Sequence, residues 1–415
     1  LDHPEFMLGG LQVRRVTIRN SPSVINAALY VRNFWDGRAQ RLFNGFTPSG
    51  TAADAPGVLA IRDGQLVREP VLLNNASLAS QASGPILDPL EMSYAGRTWS
   101  HFGKKMLSLR PLALQRVAAD DSVLGRFARP AERGITPSYV ELIRTAFQPA
   151  YWDSPDLVDG AFTQAEANFS LFWGLALQAY QSTLLSNDSP FDRFQDGDAG
   201  ALTAQEQEGM RLFQNQGRCT TCHSGAEFSA AVYGNTGRGN NRAFQRTGVR
   251  AAEEDLGAGN GSFKSTSLRN VELTGPYFHN GGQATLEQVI DFYARGGDFA
   301  NNAIRTFNIS PTQKASLAAF LRSLTDERVR YQRAPFDHPE LCVPAGSPEA
   351  RPGLLIAAQS LQFPRSSTEN WLGLSPVGAA GHNAPLQTFQ ELLQGIGADG
   401  ARANAMNEIC TAPLP

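Results

Sequence analysis

The sequence predicts a mainly α protein with long loops and a C-terminal extension, and three observations carry that expectation. Helix-start signals recur along the chain. Strand-type alternation is confined to one short stretch. The 39 glycines and 25 prolines among 415 residues punctuate the chain into short elements. This length is enough for two or three domains. Hydrophobic content of 42% with 18% charged residues describes a folded globular chain, not a disordered or fibrous one. A net charge of −3 with no basic stripe argues against nucleic acid as a partner. No apolar run approaches the roughly eighteen residues of a membrane span, so an integral membrane protein is not expected.

Each element has a local reason. Thr136-Pro137 places a capping side chain before a proline at the first helical position, opening a helix over residues 138–148. Thr163 and Glu166 form a capping-box pattern ahead of an apolar helix running to about residue 185. Thr203 with Glu206 repeats the pattern, as do Thr285 with Gln288 and Ser310-Pro311 with Gln313. The last of these leads a helix over residues 312–329, amphipathic through Leu317, Phe320, Leu321 and Leu324. Residues 58–73 supply a short hairpin around Asp63-Gly64. Residues 187–200 are polar and turn-forming and read as a linker. The expected organisation is therefore residues 1–190, a compact unit over 201–333, and a wrapping extension over 334–415 that is rich in Pro, Gly and Ser.

Chemistry enters with the cysteines. Cys219-Thr220-Thr221-Cys222-His223 has the spacing at which two thiols add across the vinyl groups of a haem while the adjacent histidine ligates its iron. A zinc site would need a second ligand pair at similar spacing, and a redox CxxC a βαβ context; neither is present. Residues 201–333 have the order of a cytochrome c domain: helix, haem motif, loops, two helices. The only methionine after His223 is Met406, so methionine ligation on the far face of the haem is not expected. The candidates are Tyr293, His279 and His382. The other cysteines, Cys342 and Cys410, either pair in an oxidising compartment or stay free. The chain opens at Leu1 without an initiator methionine, which points to a removed leader or to a fragment.

Three further motifs, in one order with the haem motif, extend the reading. They are Asn20-Ser21-Pro22 with Phe34-Trp35-Asp36-Gly37-Arg38-Ala39, then Gln81-Ala82-Ser83-Gly84-Pro85 with Pro89-Leu90-Glu91-Met92. The haem motif follows, and last comes Leu268-Arg269-Asn270 with Thr274-Gly275-Pro276-Tyr277-Phe278-His279-Asn280-Gly281. Together they resemble the di-haem cytochrome c peroxidase superfamily, which includes MauG and the rubber oxygenases, over most of residues 17–333. The resemblance implies two cytochrome c-like domains facing each other across a calcium site. It implies that Trp35 lies between two haems as a stepping stone for electrons, and that Glu91 is the acid/base for cleaving peroxide, with Gln81 and Pro85 in the same pocket. It implies that Asn20, with the carbonyls of Thr274 and Pro276, binds calcium, and that Tyr293 stands where peroxidases place a haem-ligating methionine and MauG a tyrosine.

Three departures bear on what is carried over. Thirty-four residues precede Trp35 and none is cysteine, so the first haem motif is expected upstream of Leu1; the rival is a mono-haem relative. No histidine lies near Gln12, where many peroxidases place a removable ligand, and His3 is a poor substitute; this favours an open site like that of MauG or an oxygenase. Residues 41–80 are an insertion and 334–415 an extra tail, as in larger members. In the insertion Phe43, Phe46 and Pro48 either shape a substrate path or pack a loop. The leading expectation is an exported, periplasmic or secreted bacterial peroxidase. It would take electrons from a small redox protein or quinol-derived donor, through the haem at Cys219 and Cys222 and through Trp35, to hydrogen peroxide. The alternatives are oxidation of an organic or protein substrate with dioxygen or peroxide, and a mono-haem carrier without catalysis.

Overall fold

A computed structural model describes residues 7–8, 11–12, 17–51, 53, 55–129, 131–236, 243–300, 303–346 and 370–394. The chain is mostly helical with few strands, and every sheet among the described residues is a two-stranded antiparallel pair. It divides into two compact units. One comprises Leu1–Leu109, Tyr139–Arg330 and Thr388–Gln390; the other comprises Arg110–Ser138, Tyr331–Gln387 and Glu391–Pro415. The side chain of Cys342, together with Cys410, Met406 and His3, lies outside the described residues.

In the first unit β1 (Met7–Leu8) pairs with β2 (Leu11–Gln12). The hairpin expected around Asp63-Gly64 forms from β3 (Val58–Arg62) and β4 (Gln65–Glu69), Arg62 facing Gln65. Asp63 and Gly64 both take positive φ, 51° and 78°, the backbone that a two-residue turn between twisted strands requires. Helices α1 (Ser77–Ser83), α2 (Trp99–Leu107), α3 (Tyr139–Ala146), α4 (Gln164–Ala167) and α5 (Phe169–Gln181) follow. Their core includes Phe43, Phe46, Val58, Trp99, Phe102, Phe169 and Phe172. Phe43 and Phe46 are therefore core residues of this unit.

The long helix expected after Thr163 is two helices. Its capping box forms, but the fully buried Asn168 turns its side chain to other segments. Asn168 Nδ2 donates to the carbonyls of Leu59 (2.7 Å) and Tyr151 (2.9 Å), and Oδ1 accepts the Leu59 N–H at 2.9 Å. These bonds lock the hairpin to the helix and break it into α4 and α5.

The polar segment read as a linker is also partly helical. Ser189 and Asp192 make a reciprocal capping box with Pro190 in the first turn, forming α6 (Pro190–Gln195). Its Phe191 enters an aromatic cluster with Phe228 (ring centroids 4.9 Å apart) and Phe320 (5.9 Å). The segment is thus part of the core beneath the haem motif.

That second core joins α7 (Ala204–Gln214) to α9 (Leu286–Arg295) and α10 (Pro311–Arg322), and the chain between and after them forms α8 (Tyr233–Thr236), β5 (Phe244–Gln245) paired with β6 (Phe263–Lys264), and α11 (Glu327–Arg330). The boxes at Thr203, Thr285 and Ser310 all form. The helix expected over 312–329 breaks after Arg322 because Asp326, fully buried, accepts the N–H groups of Asn187 (3.1 Å) and Asp188 (3.0 Å). Helices α7 and α10 approach closely at Gly209, where a Cβ would run into the Ser316 carbonyl and sit 2.7 Å from Phe320 Cβ. Gly209→Ala is expected to destabilise this unit by about 1–3 kcal/mol through overpacking. Denaturant unfolding of the haem-loaded protein checks it, and an unchanged midpoint contradicts the packing described.

In the second unit β7 (Leu341–Gly346) pairs with β8 (Asn370–Leu374), and the chain just before β7 is tied to residues 110–138. The fully buried Glu340 accepts the Arg116 N–H at 2.8 Å and the Arg116 Nε at 3.2 Å. Asp337 accepts the backbone N–H (2.6 Å) and hydroxyl (2.7 Å) of Ser122.

Candidate functional site

The haem motif is presented by one tight turn. After α7, Gly217 lets the chain pass so close to Cys219 that a Cβ there would sit 3.0 Å from the sulfur. Arg218 takes left-handed backbone (φ 50°), and Cys219–Thr221 closes a 3₁₀ turn. The His223 N–H donates back to the Cys219 carbonyl at 2.8 Å. Both cysteines and the imidazole thereby line one cavity of about 860 Å³, within the roughly 300–1,000 Å³ of cofactor sites. Phe213, Leu268, Val271, Ile290, Leu317 and Leu321 give it apolar walls.

The donor set fits a haem c. Neither cysteine is in a disulfide, and burial pushes the Cys219 thiol up to about 12, so it is a neutral thiol. Burial also lowers the pKa of His223, against the opposing pull of backbone contacts with Phe228 and Thr266. Its Nδ1 lies 2.9 Å from the Phe228 carbonyl, which can only accept; Nδ1 therefore carries the proton and Nε2 keeps its lone pair for a metal.

The three candidates for the opposite axial position fare differently. Tyr293, on α9, lines the same cavity. Burial, reinforced by the nearby Cys222 and Cys219, pushes its phenol well above the ordinary range. His279 also lines the cavity, but its ring is stacked on Phe263 with centroids 3.6 Å apart and stands edge-on to Trp35 at 6.3 Å. Its pKa is lowered to about 4 by burial despite Asp255. His382 belongs to the second unit, where its N–H donates to the Tyr331 carbonyl at 2.7 Å, and it is not among the cavity residues.

Asn20 ties the N-terminal motifs to this wall. Trp35 Nε1 donates to the Asn20 carbonyl at 2.8 Å, and the Asn20 N–H donates to the His279 carbonyl at 2.6 Å. The Asn20 side-chain amide lies 2.6 Å from the Pro276 carbonyl. Asn20, Trp35, Thr274 and Pro276 all line the cavity, and the Thr274 hydroxyl donates to the Val271 carbonyl at 3.1 Å. Among the described residues no cluster of three or more His, Cys, Asp or Glu side chains could hold a metal ion.

Around Trp35 runs a charge network that sequence reasoning missed. Arg19 bridges Asp36 and Asp255 (2.7 Å to the latter), and Asp255 sits 3.6 Å from His279 Nε2. Burial alone would raise both carboxyls, but Arg19, joined at Asp36 by Arg38, holds them below the ordinary range. Arg19 and Asp255 are 236 positions apart, so no local pattern pointed to their meeting.

Gln81 lies on α1, Pro85 opens the following 3₁₀ turn, and Glu91 sits exposed in the next turn; none lines the cavity. This segment meets the Trp35 segment at Gly84, where a Cβ would lie 3.3 Å from both the Phe34 ring and Pro48. Partial burial raises the Glu91 pKa, Asp88 adds to that, and Arg38 opposes it.

A CxxCH turn opening on an apolar cavity, with an imidazole prepared for iron, defines a c-type haem protein. Residues 2–200 match the family described as di-haem cytochrome c peroxidase. That match takes in just under half of the chain and ends before the haem motif. It is 28% identical over 314 residues to the cytochrome c551 peroxidase of Nitrosomonas europaea, covering 74% of this chain and 66% of that protein. It is 35% identical over 173 residues to the cytochrome-c peroxidase IdrP2 of Denitromonas iodatirespirans, covering 36% and 47%. It is 33% identical over 165 residues to the methylamine utilization protein MauG of Methylorubrum extorquens, covering 37% and 43%. The chain thus spans between less than half and about two thirds of these relatives. No described helix is long and apolar enough to cross a membrane.

Proposed function

We propose that this protein reduces hydrogen peroxide in the periplasm, drawing electrons from a small redox protein or quinol-derived donor. The observation that carries the reading is the convergence of Cys219, Cys222, His223 and Trp35 on one cavity. A haem c bound there supplies an iron that exchanges one electron at a time. Cys219 and Cys222 tether it, His223 offers Nε2, and the apolar walls keep water away. Trp35, its indole N–H fixed on Asn20, stands in the wall as the aromatic contact toward the first half of the chain. Reducing peroxide to two waters consumes two electrons and two protons. Glu91 serves the proton side: a carboxylate oxygen takes the proton from one peroxide oxygen and returns it to the other as the bond breaks.

The architecture we infer is two cytochrome c-like domains, residues 1–190 and 201–333, with 334–415 as the extension and with a second haem, as the family description implies. The nearness of Asn20, Thr274 and Pro276 in one cavity wall supports a calcium site held by the Thr274 and Pro276 carbonyls and by Asn20 Oδ1, once the Asn20 amide that now donates through Nδ2 to Pro276 turns over: hard oxygen ligands of mixed origin suit that ion. Pyridine haemochrome assay and peroxide turnover with reduced cytochrome donors, on the natural gene product, test the whole reading. One haem per chain and no turnover would leave an electron carrier.

A second reading, oxidation of an organic or protein substrate as in MauG, is favoured by Tyr293 in the cavity wall where a peroxidase has methionine. Tyr293→Phe is expected to change the optical spectrum of the haem at Cys219 and Cys222. An unchanged spectrum removes Tyr293 as its ligand.

A further inference from the structure

Lys264 carries no sequence signal, yet it lies in the wall of the haem cavity and is 4% exposed. Its backbone N–H donates to the Trp35 carbonyl at 2.8 Å. Among the described residues its ammonium meets only neutral groups: the Arg32 carbonyl at 3.3 Å, Asn33 Oδ1 at 3.4 Å, and the face of the Tyr30 ring at 3.9 Å. The charged and titratable groups facing it are few. Asp36 acts on it from a distance and is already paired with Arg19 and Arg38. Tyr30 is neutral, its phenol raised by burial and further by Glu227. The strand opposite brings Phe244, and the chain beyond brings Ser265, Thr266 and Ser267. A buried ammonium without a counter-charge is unusual, because burial disfavours the charged form.

We propose that Lys264 is the charge-compensating residue of the haem at Cys219 and Cys222, taking up one proton from solvent when that haem takes up one electron. The amine gains an N–H bond, the electron comes from the one-electron donor, and both leave again, the proton to solvent, when the haem is reoxidised. The net charge of the cavity then stays constant, which a low-dielectric interior favours. Burial holds the lysine near about 7, with Asp36 opposing, so both protonation states are accessible at neutral pH. The inference rests on haem occupying this cavity.

The test is a spectroelectrochemical titration of that haem in the full, haem-loaded protein from about pH 5.5 to about pH 9, spanning the lysine. At fixed potential the reduced-to-oxidised ratio is expected to fall about tenfold per pH unit where the lysine exchanges its proton, ~59 mV per unit for one electron. Lys264→Met should abolish that slope, and so should Lys264→Arg, which stays charged throughout. If the methionine variant fails to fold, the arginine variant decides. A flat wild-type profile, or a slope that survives in the arginine variant, overturns the proposal. Absence of haem by pyridine haemochrome would instead sink the haem reading beneath it.

Discussion

Glu91→Gln is expected to lower peroxide turnover by roughly 10²–10⁴-fold, the usual worth of a positioned acid/base. The amide keeps the shape of the carboxylate but cannot receive a proton. Glu91 does not line the cavity of Cys219, Cys222 and His223, so the spectrum and potential of the haem there should be unchanged. That separation gives the experiment its force: loss of turnover with an intact haem isolates the proton-transfer role. The pH profile adds a second check. Burial and Asp88 raise the Glu91 pKa against Arg38, so the base form is lost at higher pH than for an ordinary glutamate. The acid limb of the rate should therefore lie above about pH 4.3, and Arg38→Gln should move it further up. Wild-type turnover by Glu91→Gln would show that another group handles the proton.

Local signals were legible in the sequence wherever one residue acts on its own backbone neighbours. The boxes at Thr163, Thr203, Thr285 and Ser310 all form, and so does the Asp63-Gly64 turn. The errors have one physical form. At Asn168 and Asp326 a polar side chain bonds to a distant backbone segment and interrupts a helix that the apolar pattern alone would continue. At residues 187–200 polar composition outweighed a proline-led capping box, and a single phenylalanine, Phe191, was enough to bring the segment into the core.

The site divides in the same way. The haem motif is contiguous, so five residues declare it. Tyr293 was one of three candidates once methionine was set aside, whereas Trp35 could be named only through the spacing of motifs in a family resemblance. Lys264, Asp255 and Arg19 had no such signal, because their meaning arises from burial and from partners far along the chain. A lysine is ordinarily an exposed, solvated residue, and only its surroundings make this one informative.

Arg269→Leu is expected to destabilise the first unit by about 3 kcal/mol, the lower end for breaking a buried ion pair, because Asp192 is only partly buried. Arg269, 8% exposed, grips Asp192 through both terminal nitrogens at 2.7 and 2.8 Å. Its Nε donates to the Ala226 carbonyl at 3.0 Å and lies 3.3 Å from Glu227. This fork holds α6, and with it Phe191, against the residues that follow the haem motif. Leucine would leave two carboxylates facing each other without a cation. The pH dependence has a definite sign. Burial raises Asp192, but Arg269 and Ser189 hold it below its ordinary value. The stabilisation is thus present above the unfolded value of about 3.9 and lost as pH falls through the lower folded one. In the leucine variant burial and mutual repulsion push both carboxyls up, so the variant gains on acidification and the gap to wild type narrows. Adding Asp192→Asn to Arg269→Leu should recover part of the loss at neutral pH. Denaturant unfolding at two pH values measures all of this, and a gap under about 1 kcal/mol at neutral pH would place the pair among solvated surface bridges.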